Sequence, residues 1–269
     1  MENIGIIHYN FLSESLDDFL AYAKDIGFGS VELSLDDVAG DSPENFERNA
    51  DRVLQRVDNY GLSISAIGMI GNDFLVDEPE KVQAEVERME GIARIARSIN
   101  CDVIRTEAGS PKESIAKNTW AECIAECINR CLDAAEKYDV RYALDNHGLV
   151  SNDAELQLEI FRRLDSRRVG ANLDTMNYRW FGYAVDELSD IYKKVAPWTF
   201  HTHIKDGTGV QKNYQGEALG DGEVPLSQVI TSLRDAGYNG VYCIEYEGNE
   251  SVSGYGRSYS FLDSLLSTS

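Results

Sequence analysis

Residues 141–204 read RYALDNHGLVSNDAELQLEIFRRLDSRRVGANLDTMNYRWFGYAVDELSDIYKKVAPWTFHTHI. Three short β-rich runs, Arg141 to Asp145, Val169 to Asp174 and Thr199 to Ile204, are separated here by longer segments of helical pattern. That alternation is the signature of βα units wound around a parallel sheet. It continues outward in both directions: strands are predicted at Ile4 to His8, Val31 to Leu35, Ser63 to Met69 and Val103 to Glu107 upstream, and at Val241 to Tyr246 downstream. The intervening helices have readable ends. Ser13 or Ser15 caps the first and Gly27 stops it; Ser42-Pro43 starts the second and Gly61 follows it; Pro79 opens the third; Pro225 opens a late one that Ala236-Gly237 closes. Eight strands recurring every ~30 to 40 residues, each followed by a helix and with no Pro/Ser-rich linker, predict an α/β fold, one (β/α)8 TIM barrel domain over residues 1–269.

The composition of the 269 residues excludes several classes. With 43% hydrophobic and 26% charged residues and a mean hydropathy of -0.34, the chain is neither disordered nor collagen-like. No apolar run approaches the ~20 residues of a membrane helix. Met1-Glu2-Asn3 lacks the basic start and long apolar core of a secretion signal, so the expected location is the cytoplasm, with no membrane partner. The 46 acidic against 25 basic residues give a net charge of -21, which repels a duplex; Arg162-Arg163 and Arg167-Arg168 are too short to make a nucleic-acid track. No GxGxxG, GxxxxGK[ST] or GxSxG pattern supports a dinucleotide, nucleotide or serine-hydrolase reading. Five cysteines without a CxxC pair indicate neither disulfides nor a zinc ribbon; Cys123, Cys127 and Cys131 share one helical stripe and read as core.

In such a barrel the chemistry sits at the C-terminal ends of the strands. The four histidines, His8, His147, His201 and His203, all fall there, on or just past predicted strands. Carboxylates end or nearly end five strands: Glu32, Glu107, Asp145, Asp174 and Glu245. Because side chains alternate, His201 shares a face with His203, Ala143 with Asp145, Asn172 with Asp174 and Cys243 with Glu245. If that face is the interior, the carboxylates converge and repel unless a cation joins them. Asp145, Asp174, His203 and Glu245 are therefore the expected ligands of one divalent metal ion. Three oxygens and one imidazole suit Mn2+ or Mg2+, with Co2+ or Zn2+ as alternatives. For Asp145 alone, capping the next helix is an equal alternative. His201, one layer deeper, is expected to support the ligands through hydrogen bonds. Glu32 has two readings, a pocket residue or the partner of a cation such as Arg105.

Ala143-Leu144-Asp145-Asn146-His147-Gly148, Asn172-Leu173-Asp174-Thr175-Met176-Asn177, His201-Thr202-His203-Ile204-Lys205-Asp206 and Gly240 through Glu245-Tyr246-Glu247-Gly248 resemble the sugar phosphate isomerase/epimerase family, of the xylose isomerase-like TIM barrel superfamily. The resemblance implies that Asp174, His203 and Glu245 hold the metal and that Glu245 is one of two carboxylates that move a proton. The second would be Asp145, where the family usually has Glu. Ketose 3-epimerases place an arginine shortly after the strand 7 histidine; this chain has Lys205 and Lys212.

What the resemblance implies is proton abstraction next to a carbonyl through a metal-stabilised enediolate, giving an isomer or an epimer of a keto sugar or polyol. His147, Asn177, Lys205 and Glu107 would hold hydroxyls, with Trp180, Phe181 and Tyr9 as an apolar wall; for Lys205, neutralising Asp206 or the acidic mouth is an equal alternative. No phosphate cradle is evident, which favours a neutral carbohydrate, and a homodimer or homotetramer is the expected assembly. The rivals are a metal-dependent lyase or dehydratase on a keto-inositol or 3-keto glycoside, phosphodiester cleavage in the manner of endonuclease IV, which four histidines and the negative charge disfavour, and a non-catalytic sugar-binding barrel.

Overall fold

A computed structural model describes residues 3–11, 15–39, 46–68, 71–250 and 252–268; Ser13, Ser42-Pro43 and Met69 lie outside the described residues. The strands are β1 Ile4–Ile7, β2 Ser30–Ser34, β3 Ser63–Gly68, β4 Val103–Thr106, β5 Arg141–Asp145, β6 Val169–Asp174, β7 Thr199–Ile204, β8 Asp206–Thr208, β9 Gln215–Glu217 and β10 Tyr242–Ile244. The helices are α1 Leu16–Ile26, α2 Leu35–Ala39, α3 Phe46–Asn59, α4 Pro79–Ser98, α5 Trp120–Tyr138, α6 Ala154–Leu164, α7 Asn177–Phe181, α8 Val185–Val195, α9 Leu226–Asp235 and α10 Val252–Thr268. Eight strands close into a barrel in the order β1-β10-β7-β6-β5-β4-β3-β2, every neighbour parallel. The predicted (β/α)8 fold is the fold observed.

The differences from the expected elements are local. Leu35 opens α2 instead of ending β2, and Glu107 lies one residue past β4. The last strand is shorter than Val241 to Tyr246, although Glu245 N–H still donates to Ile204 O. The antiparallel hairpin β8/β9 was not expected and stands beside the barrel mouth. Helix ends follow the capping chemistry: Ser15 accepts from Asp18 N–H, Gly27 takes φ 111 at the end of α1, and Pro79 sits in the first turn of α4. Cys127 and Cys131 are buried on the inner face of α5 and Cys123 is half-buried, as core residues.

The main apolar core lies between barrel and helices, and a smaller cluster of Ala66, Val103 and Ala143 with Phe200 floors the barrel. Two β-bulges set what faces inward above that floor. Between Val31↔Ile64 and Glu32↔Ala66, β3 carries one extra residue, Ser65; between Ala171↔Thr199 and Asn172↔His201, β7 carries one extra, Phe200. The second shift puts His201 opposite Asn172 and His203 opposite Asp174. A one-residue slip turns every later side chain to the other face, so without it Asp174 would face Thr202. Among the described residues, no helix is long and apolar enough to cross a membrane.

Candidate metal centre

At the C-terminal mouth the four predicted ligands are all buried. Asp145, Asp174 and His203 each offer an atom within 4.8 Å of the others. Glu245 is not part of that mutual set and approaches it at one corner, Oε2 lying 2.8 Å from His203 Nδ1. Its other oxygen accepts from Asn10 Nδ2 at 2.9 Å.

Each side chain is held by neighbours of different origin. Asp174 Oδ1 accepts from the backbone N–H of Met176 and Asn177, both at 2.9 Å, at the start of α7, while Oδ2 faces the centre beside Lys205 Nζ. The Asn146 amide grips the Asp174 backbone on both sides, accepting from its N–H and donating to its C=O. The helix after β5, α6, is capped by Asp153, whose Oδ1 accepts from Leu156 N–H, so the capping role weighed for Asp145 falls to another residue. Asp145 instead has Oδ2 3.0 Å from Arg105 Nη1 and Oδ1 accepting from Asn172 Nδ2 at 2.9 Å. His201 Nδ1 donates to Asn172 Oδ1 at 2.9 Å, with Nε2 3.3 Å from Ser65 Oγ, so it supports Asp145 through Asn172. His203 Nε2 donates to Glu32 Oε2 at 2.7 Å, and Arg105 Nε donates to Glu32 Oε1 at 2.7 Å. Glu32 therefore pairs with Arg105 and also orients the His203 ring.

Four buried carboxylates, Glu32, Asp145, Asp174 and Glu245, surround two buried cations, Arg105 and Lys205, leaving two negative charges when His203 is neutral. Burial pushes Asp174 up, Lys205 pulls it back, and Glu245 and Asp145 push it further, to about 7. Burial opposes the His203 imidazolium, but Glu32 and Glu245 outweigh it and raise the ring to about 10. His201 is pushed down to about 4, chiefly by burial. Against its own burial, Glu32 is held well below the usual carboxylate range by His203 and Arg105. A crowded carboxylate site without an ion takes up protons, and a divalent cation replaces them.

The residues fit such an ion. Asp174 Oδ2 and His203 Nδ1 are fully buried and face one another at 4.0 Å, with Lys205 Nζ 2.9 Å from the first and Glu245 Oε2 2.8 Å from the second. Glu245 Oε2 crowds Nδ1 without a directed hydrogen bond. Atoms arranged this way point their lone pairs at a common centre, and the Glu32 carboxylate on the far ring nitrogen is the support a ligating imidazole needs. A deeper group of Glu32, His203 and Cys243 shares His203, but there His203 Nε2 already donates to Glu32 Oε2.

Of the predicted substrate residues, His147, Asn177, Trp180 and Lys205 line one pocket of ≈ 230 Å³ beside the centre, together with Tyr214 and Glu247. Glu107 does not line that pocket; it is half-buried, and its backbone N–H donates to Asn72 Oδ1 while its C=O accepts from Asn72 Nδ2. Phe181 packs on Tyr183, and Tyr9 is 52% exposed. The grip of Arg105 on Asp145, and the supports Asn10, Asn146 and Asn172, were not anticipated from the sequence. An arginine inside the run Val103-Ile104-Arg105-Thr106, on the same face as Val103, was the available signal for the first.

A family model described as xylose isomerase-like TIM barrel matches residues 20–265. The alpha subunit of 3'-dehydrocarminate deglycosidase from Microbacterium sp. is 28% identical over 257 residues, 91% of this chain and 66% of that protein. The solved IolI protein with a bound zinc atom superposes with a TM-score of 0.80 at 17% identity, covering 99% of this chain and 98% of that one. L-ribulose 3-epimerase gives 0.79 at 18% identity, covering 100% and 95%.

Proposed function

Because the chain belongs to the xylose isomerase-like TIM barrel family, we propose that it is a divalent-metal-dependent sugar isomerase or epimerase that moves a proton on a carbon next to a carbonyl. The observation that carries this reading is the facing pair Asp174 Oδ2 and His203 Nδ1, buried 4.0 Å apart among carboxylates at the barrel mouth. Mn2+ or Mg2+ is the proposed ion, and Asp145, Asp174, His203 and Glu245 the residues that would hold it. When bound, it would polarise a carbonyl and its neighbouring hydroxyl and so acidify the C–H beside them.

Glu245 is the proposed base, steadied through Oε1 by Asn10. It takes the proton as the C–H electrons move toward the carbonyl oxygen and an enediolate forms. Return of the proton to the neighbouring carbon, with the hydroxyl proton passing to the former carbonyl oxygen, gives the aldose–ketose isomer, whereas delivery of a proton from the opposite face by Asp145 inverts the centre. His147, Asn177 and Lys205 are proposed to hold hydroxyls and Trp180 to present its ring. The proposed substrate is a small neutral carbohydrate, which the net charge of -21 favours over an anion, and the proposed setting is the cytoplasm.

One observation favours a second reading. Both oxygens of Asp145 are tied, one to the fixed Arg105 charge and one to Asn172, whereas Glu245 Oε2 faces the His203 ring and Lys205 and only Oε1 is held by a neutral amide. A single base suits elimination next to a ketone, and the 28% identical relative is by its name a deglycosidase. Metal-stripped and Mn2+-loaded protein incubated in D2O with ketoses, inososes and 3-keto glycosides tests both. Metal-dependent deuterium uptake beside the carbonyl, abolished in Glu245→Gln, is expected. An unchanged product mass means isomerisation and a lost fragment means elimination. Exchange that survives Glu245→Gln removes Glu245 as the base.

A further inference from the structure

Lys205 is only 3% exposed, yet its ammonium meets three carboxylates: Nζ lies 2.9 Å from Asp174 Oδ2, 3.5 Å from Glu245 Oε2 and 3.6 Å from Glu247 Oε2. The first two belong to the proposed ligand set. A divalent ion would need those same oxygens at roughly 2.0 to 2.6 Å. An ammonium bridging them opposes the ion by charge and by space. The position of Glu245 agrees with this: it stands next to Lys205 and outside the mutual cluster of Asp145, Asp174 and His203.

Glu247 gives the ammonium somewhere to go. It is the most exposed of the three carboxylates, with a side chain 36% accessible, and Tyr214 O–H fixes it by donating to Oε2 at 2.6 Å. It lines the pocket that Lys205 shares with Asn177 and Trp180. The Lys205 backbone is anchored by Thr175, whose Oγ1 accepts from Lys205 N–H at 2.8 Å and donates to its C=O at 2.5 Å, so a change confined to the side chain is sufficient.

Resting on the metal-dependent reading above, we propose that Lys205 is a built-in counter-ion that competes with the divalent metal for Asp174 and Glu245. It yields to the metal by turning to Glu247. Loading the ion thereby moves a positive charge from the metal centre into the substrate pocket, which couples metal occupancy to the capture of substrate hydroxyls.

Titration calorimetry of the metal-stripped full chain with MnCl2 tests this without any substrate. Lys205→Met, which keeps the length of the side chain, should bind Mn2+ roughly tenfold or more tighter than the wild type, because a like charge beside the ion is gone. Glu247→Gln, at an accessible position, should bind it severalfold more weakly, because nothing then draws the ammonium away. Equal or weaker binding by Lys205→Met overturns the competition, as does unchanged binding by Glu247→Gln. Uptake by Lys205→Met but not by the wild type supports the competition and overturns the metal-dependent reaction. No uptake by any of the three overturns both.

Discussion

Glu32 shows how much of the centre depends on a residue that would not touch the ion. Its two oxygens divide between His203 Nε2 and Arg105 Nε, and Arg105 in turn holds Asp145. Glu32→Gln keeps the shape but removes the charge, leaving Arg105 with one buried anion in place of two. A loss of about 3–5 kcal/mol in denaturant unfolding is expected from breaking a buried pair. Mn2+ affinity should fall about 10–100-fold in titration calorimetry, the usual cost of losing a supporting partner to a ligand histidine. A variant with unaltered Mn2+ affinity would separate Glu32 from the centre. At this scale the sequence was legible where a charge interrupts an apolar β run, as at Asp174 and Glu245. It was not legible at Asn10 and Asn146, which lie in loops and acquire their roles only when distant strands become neighbours.

The bulge on β7 carries more of the site's geometry than any single hydrogen bond. Gly170 on β6 lies beside it, and a Cβ there would collide with the Trp198 carbonyl oxygen and come within 2.9 Å of the Phe200 ring. Gly170→Ala should therefore push on the bulge, lower stability by about 1–3 kcal/mol, as overpacking does, and weaken Mn2+ binding through His203. Thermal unfolding and calorimetry read the two effects; normal Mn2+ affinity with lowered stability would show that the bulge does not set the ligand register. Strand existence was readable from alternation, because eight runs each bury apolar residues against helices. The bulges were not, since an extra residue is defined only against the neighbouring strand's register. The β8/β9 hairpin, with three-residue strands in a glycine-rich segment, offers no periodic window to read.

Across the whole molecule, His203 ties β7 to β2 through Glu32 and approaches Glu245 just past β10, so its protonation bears on global unfolding. In metal-stripped protein its ring is raised to about 10, against about 6.5 in an unfolded chain. A base raised on folding contributes stability that is complete below pH 6.5 and is lost as pH climbs toward 10. Asp174, pushed up to about 7, acts in the same direction up to that pH. Thermal midpoints in chelator should thus fall between pH 6.5 and 9.5, and saturating Mn2+, which replaces those protons, should remove most of the slope. A flat profile in chelator would contradict the charge balance drawn for the centre.

β1 pairs with β10, and Asn10, just past the first strand, donates to Glu245, just past the last, 235 positions away. Asp145, Asp174 and His203 are contiguous in synthesis and complete by residue 203, whereas Glu245 gains its support only when the two ends of the barrel meet. Closing the ring between the first and last strands therefore does more than complete the sheet: it brings the proposed base to its support.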